Sequence, residues 1–150
     1  MNQNPLIFGC KGIELTQEEF DFFARVKPFG FILFKRNCQD PLQITYLIEH
    51  LRATNPEGKI HILIDQEGGR VERLKGNDWP HFPPQYYFGE LYKTEPDQAI
   101  EKATENAYQI GTLLQKLGID VNCSPLLDVL CSTTHEAIGD RAFSKDPEAV

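Results

Sequence analysis

The sequence predicts an α/β fold built on a parallel sheet, and three observations carry that expectation. Short apolar runs of strand length recur: Leu6-Ile7-Phe8, residues 30–34 (GFILF) and residues 59–65 (KIHILID). Their centres, with Ile62-Leu63-Ile64 in the third, are unbroken apolar stretches rather than alternating ones, as in strands covered on both faces. Segments of helical period separate them, giving the order strand, helix, strand, helix that goes with a parallel sheet. This rhythm leaves a doubly wound sheet and a barrel both open.

Each element follows from its own residues. In LTQEEFDFFARVK, Thr16 is placed to cap a helix, Glu18 and Glu19 suit its first turn, and Phe20, Phe23 and Ala24 share a face. Asp40-Pro41 opens the next helix, with a cap and a proline at the first helical position. Its apolar face is Ile44, Leu47, Ile48 and Leu51, and Asn55-Pro56 stops it. A long loop rich in proline and aromatics follows the third strand. The clearest helix then runs from about Pro96 to Leu117, with Ile100, Ala103, Ala107, Ile110, Leu114 and Leu117 on one face and Gly118 at its C-terminal cap. IDVNCSPLLDV reads as a fourth strand and its exit. Asp146-Pro147-Glu148 announces a further helix as the sequence ends, so residues 1–150 are expected to be the N-terminal part of a single longer domain, with about four of the eight units that a barrel would need.

Composition narrows the function. With 150 residues, 41% of them hydrophobic, the chain has enough material for one domain with a proper core. A net charge of -7 with no Lys/Arg cluster argues against nucleic acid, which demands a basic footprint. No apolar run approaches the length of a membrane span, and Met1 to Asn4 do not resemble a signal peptide. Cys10, Cys38, Cys123 and Cys131 lack Cys-x-x-Cys spacing, and the four histidines lack metal-ligand spacing. The expectation is a soluble, cytoplasmic protein with reduced thiols.

The chemistry is expected at strand exits, where parallel α/β folds place their working groups. In LIDQEGGRV, Asp65 sits at such an end, as an acceptor for sugar hydroxyls, an anchor for an arginine, or a structural carboxylate beside the Gly68-Gly69 turn. Glu67 lies two residues on, and a carboxylate pair invites a glycosidase reading, although adjacent acids are common in loops. Arg70, Arg73 and Arg141 lie near strand exits and could each donate a planar fork to oxygen atoms. Trp79, Phe82, Tyr86 and Tyr87 could face a sugar ring, with packing of the loop on its own scaffold the commoner fate. Gly68-Gly69 fits no phosphate-cradling pattern.

GFILFKRN, LIDQEGGRVERL, WPHFPP, NCSPLLDV and IGDRAFSKDPEAV occur in that order. Together they resemble the first part of a glycoside hydrolase family 3 catalytic domain, from about residue 5 onward, and within it the β-N-acetylglucosaminidase subgroup of peptidoglycan recycling. The resemblance implies a TIM-type (β/α)8 barrel, of which this chain supplies about the first half. It implies a retaining hydrolase acting on N-acetylglucosamine-containing muropeptides without metal or organic cofactor. Its nucleophile Asp and acid/base His are expected beyond residue 150, so no catalytic residue is assigned here. Asp65, Arg73 and Arg141 match the family's substrate-binding positions, while Glu67 and Asp128 are expected to be structural. A β-glucosidase or β-xylosidase of the same family, or a non-catalytic sugar-binding protein, is the alternative.

Overall fold

Four parallel strands form the sheet, in the order β1-β2-β3-β6, so neighbours in the sheet follow one another in the chain. The computed structural model describes residues 3–150. The strands of this sheet are β1 (Asn4–Phe8), β2 (Pro28–Leu33), β3 (His61–Ile64) and β6 (Val121–Asn122). Between them lie α1 (Gln17–Val26), α2 (Pro41–Ala53), a small antiparallel hairpin of β4 (Gln66–Gly68) and β5 (Val71–Glu72), α3 (Gln85–Tyr92) and α4 (Pro96–Leu117).

The helix starts follow the expected chemistry. The Thr16 side chain accepts from the backbone N–H of Glu19, whose carboxylate returns the bond to the Thr16 N–H, closing a capping box. Asp40 accepts from Gln43 N at 2.9 Å, with Pro41 at the first helical position. Gly118 ends α4 in the left-handed region, at φ 82°.

Register decides which side chains form the core. Phe31 pairs with Ile62 and Leu33 with Ile64, so these four share one sheet face and are fully buried under the helices. Ile44, Leu47, Ile48 and Leu51 of α2 supply the opposing layer, as their spacing predicts. The other sheet face carries Ile7, Leu63 and Val121, and Ile7 and Val121 remain 47% and 39% exposed. A parallel sheet covered on only one face is half of a two-faced arrangement.

The fourth strand lies within the segment expected to hold it, and two expectations, for the aromatic loop and for the face of α4, differ from the structure. The fourth strand is only two residues long, because Val121 and Asn122 pair with β3 and the chain then reaches Pro125. The long aromatic loop contains the eight-residue helix α3, which starts after Pro84 without a side-chain cap. On α4, Ile110, Leu114 and Leu117 are buried, but Ile100 is 57% exposed and Ala107 is exposed too. Periodicity marks an apolar face; whether another element covers it depends on tertiary packing.

Candidate substrate-binding site

Asp65 follows directly on β3, and the strand fixes where it points. Leu63 pairs with Val121 and Ile64 with Asn122, and Cys123 N donates to Ile64 O at 2.8 Å. The ladder therefore sets Cys123 beside Asp65 on the open sheet face with Leu63. Burial, and after it the Asp65 charge, push the Cys123 thiol up from its ordinary pKa.

The next residue turns the chain and fixes the first arginine. Gln66 is fully buried, and its backbone N–H and C=O both bond the Asn122 amide, at 2.9 Å each. Its side-chain Oε1 accepts from Arg73 N at 3.0 Å and Leu74 N at 3.1 Å. Gln66 thus ties the end of β3 to β6 and sets the backbone from which Arg73 projects. Arg73 Nη2 then reaches Asp65 Oδ2 at 2.6 Å, with the two side chains 26% and 22% exposed.

Gly68 and Gly69 make this hairpin possible, at φ 98° and 59°. A Cβ on Gly68 would lie 2.2 Å from Pro83 O, and Gly69 N donates to Phe82 O at 2.8 Å. The glycines let the hairpin close against the WPHFPP segment.

Arg141 arrives from a 3-10 turn, Gly139–Arg141. It does not bond Asp65; it forks onto Glu67, Nε to Oε2 at 2.9 Å and Nη2 to Oε1 at 2.7 Å. The Glu67 hydrogen bond is the main cause raising the Arg141 pKa, and the charges of Glu67, Asp65 and Asp128 add to it. Arg70 binds Asp140 at 2.5 Å and the carbonyls of Glu136, Ala137 and Ile138, so it fastens the loop that carries Arg141.

The structure thus joins Asp65 to Arg73 directly and brings Arg141 to the same corner through Glu67. One acceptor and two planar donors, each held by the hydrogen bonds above, suit a polyhydroxylated ring, which they would orient without covalent work. Two participants escaped sequence reasoning. Glu67 as the partner of Arg141 is a contact across 74 residues with no local signal. Cys123 was accessible in principle, by extending the pairing of residues 63–64 with 121–122.

The aromatic residues divide. Trp79 and Phe82 are buried in the core, whereas Tyr86 and Tyr87 of α3 are 41% and 45% exposed. A groove of about 300 Å³ opens beside Glu67, between α3, α4 and the segment after β6. Among the described residues no cluster of three or more His, Cys, Asp or Glu could hold a metal ion, and no helix is long and apolar enough to cross a membrane.

Comparison with known proteins gives a consistent result. Residues 13–150 match the family model described as glycosyl hydrolase family 3 N terminal domain. A beta-hexosaminidase of Stenotrophomonas maltophilia (strain R551-3) is 37% identical over 145 residues, covering 97% of this chain and 42% of the relative. One from Xanthomonas campestris pv. campestris (strain B100) is 36% identical over 97% of this chain and 43% of its own length. The chain therefore spans about two fifths of the curated relatives it matches. Among solved structures, NagZ from Neisseria gonorrhoeae in complex with N-trifluoroacetyl-D-glucosamine superposes with a TM-score of 0.89 at 30% identity, over 98% of this chain and 43% of that one.

Proposed function

The chain belongs to glycosyl hydrolase family 3, its sheet is part of a TIM-type barrel, and on that premise we propose that it carries the sugar-gripping part of an exo-acting β-N-acetylglucosaminidase. The observation that carries this reading is the corner formed by Asp65, Arg73, Glu67 and Arg141 at the end of β3, where a parallel-sheet enzyme presents its working groups. Asp65 accepts hydrogen bonds from hydroxyls of the terminal N-acetylglucosamine, and Arg73 and Arg141 donate to its oxygens. These contacts hold the ring while bond cleavage proceeds by a retaining mechanism, whose nucleophile Asp and acid/base His are not among residues 1–150. The beta-hexosaminidase names of the relatives and the glucosamine derivative bound by the Neisseria protein support the substrate class.

The natural substrates in this reading are cell-wall muropeptide fragments, met in the cytoplasm, within a single barrel domain to which residues 1–150 contribute the N-terminal part. The four free cysteines, one of them buried, fit a reducing compartment. The test is hydrolysis of 4-nitrophenyl N-acetyl-β-glucosaminide beside 4-nitrophenyl β-glucoside and β-xyloside, by the protein at its natural length. Preference for the first supports the assignment. Preference for either of the others moves the protein to the glucosidase or xylosidase reading, and sugar binding without hydrolysis to a non-catalytic one.

A further inference from the structure

Glu67 is the charged group of this corner for which sugar contact leaves no task. Its side chain is only 4% exposed, and an ionised carboxylate is costly to bury unless it is paired and hydrogen-bonded. Arg141 satisfies it with two parallel bonds of 2.9 and 2.7 Å, a geometry that fixes the plane and the roll of the guanidinium together.

A purely structural role would be to fasten the loop that bears Arg141. That loop is already fastened: Arg70 bonds Asp140 and three successive carbonyls, those of Glu136, Ala137 and Ile138. What the Glu67 fork adds is orientation. It uses Nε–H and one Nη2–H of the five arginine donors. The other Nη2–H and the Nη1 group remain, and the one contact of Nη1, to Ala137 O, is long at 3.4 Å. The Arg141 side chain is 24% exposed, so the uncommitted donors have an approach from solvent.

We infer that Glu67 is a positioning residue, which presents the free N–H groups of Arg141 to oxygen atoms of the bound sugar. The inference rests on the reading of Arg141 as a sugar contact. A carboxylate of one length suits the fork: Gln accepts with one atom only and turns an amide N–H₂ toward the other donor, and Asp is a methylene short.

The experiment is titration of the natural-length protein with N-acetylglucosamine by calorimetry, for the wild type, R141A, E67Q, E67D and the double variant E67Q/R141A, with thermal unfolding of each. The expected result is a fall in affinity of about tenfold for E67Q, corresponding to loss of one well-placed charge-assisted bond. E67D should fall at least as far, and E67Q should have no further effect once Arg141 is Ala. Wild-type affinity in a folded E67Q, or an E67Q loss that adds fully to that of R141A, overturns the positioning role while leaving the sugar site standing. No binding by the wild type, or full binding by R141A, overturns the reading of the site and this inference with it. Should E67Q fail to fold, wild-type affinity in a folded E67D overturns the role and a loss that vanishes with R141A supports it.

Discussion

Arg73 Nη2 donates to Asp65 Oδ2 at 2.6 Å, so the acceptor and one donor proposed for the sugar hold each other in place. The pair spans only eight residues, and both ends are set by backbone: Asp65 by the end of β3, Arg73 by the Gln66 side chain that accepts its N–H. Groups held this way meet a ligand with little orientation left to lose, which is where binding selectivity at a rigid site comes from.

Asp65→Asn should weaken N-acetylglucosamine binding by roughly ten- to a hundredfold, since hydrogen bonds to a charged group contribute about 1.5–3 kcal/mol each. Arg73→Lys should also weaken it, because an ammonium has no planar fork. Calorimetric titration reads both. Equal affinity in folded Asp65→Asn would remove Asp65 from the site.

Local chemistry made the framework legible. Thr16, Asp40 and Pro41 mark helix starts, the spacing of Ile44, Leu47, Ile48 and Leu51 marks a buried face, and the change from Ile64 to Asp65 marks a strand exit. What stayed hidden depends on distant partners. The prolines and glycine of residues 83–89 read as loop, yet α3 starts directly after Pro84, and its Gly89 packs closely against Phe143, far along the chain. Arg141 was legible as one of three arginines near strand exits, but its pairing with Glu67 was not, since no local pattern links positions 74 apart. The apolar stripe of α4 was visible, and the exposure of Ile100 within it was not, because a stripe does not name what covers it.

The core should respond to truncation as a packed parallel sheet does. Ile62 is fully buried between β2 and the helices, so Ile62→Ala should cost about 2–5 kcal/mol through lost transfer energy and a residual cavity. Urea unfolding followed by tryptophan fluorescence measures this, since Trp79 lies in the same core. A loss below about 1 kcal/mol would mean that the site collapses freely, against the close packing seen here.

Two helical glycines should respond oppositely to alanine. A Cβ on Gly89 would lie 1.7 Å from Phe143 O, so Gly89→Ala must push α3 away from the segment that follows Arg141, at about 1–3 kcal/mol or more. Gly111, midway along α4, has no heavy atom within 4 Å of such a Cβ, so Gly111→Ala should stabilise by about 0.5–1 kcal/mol. Denaturation midpoints compare the two, and a neutral Gly89→Ala would mean that α3 and the Phe143 segment are not in contact.

The thiols should react in an order set by their surroundings. Hydrogen bonds from the hydroxyls of Thr133 and then Thr134 stabilise the Cys131 thiolate, which brings its pKa down to about 7 on an exposed loop. Burial pushes Cys10 up to about 11 and Cys38 up to about 12. A lowered pKa means that the thiolate is half formed near pH 7 and complete about a unit above it, so alkylation of Cys131 should rise between pH 6 and 8 and then level off. Cys10 and Cys38, protonated through this window, should stay unlabelled. Timed iodoacetamide labelling with peptide mass spectrometry gives the order directly, and replacing Thr133 and Thr134 by Val should move the Cys131 curve to higher pH. An unmoved curve would mean that the hydroxyls do not set the pKa. Cys123, raised by burial and by Asp65, should label later than Cys131, and N-acetylglucosamine should slow it further if the sugar sits against Asp65.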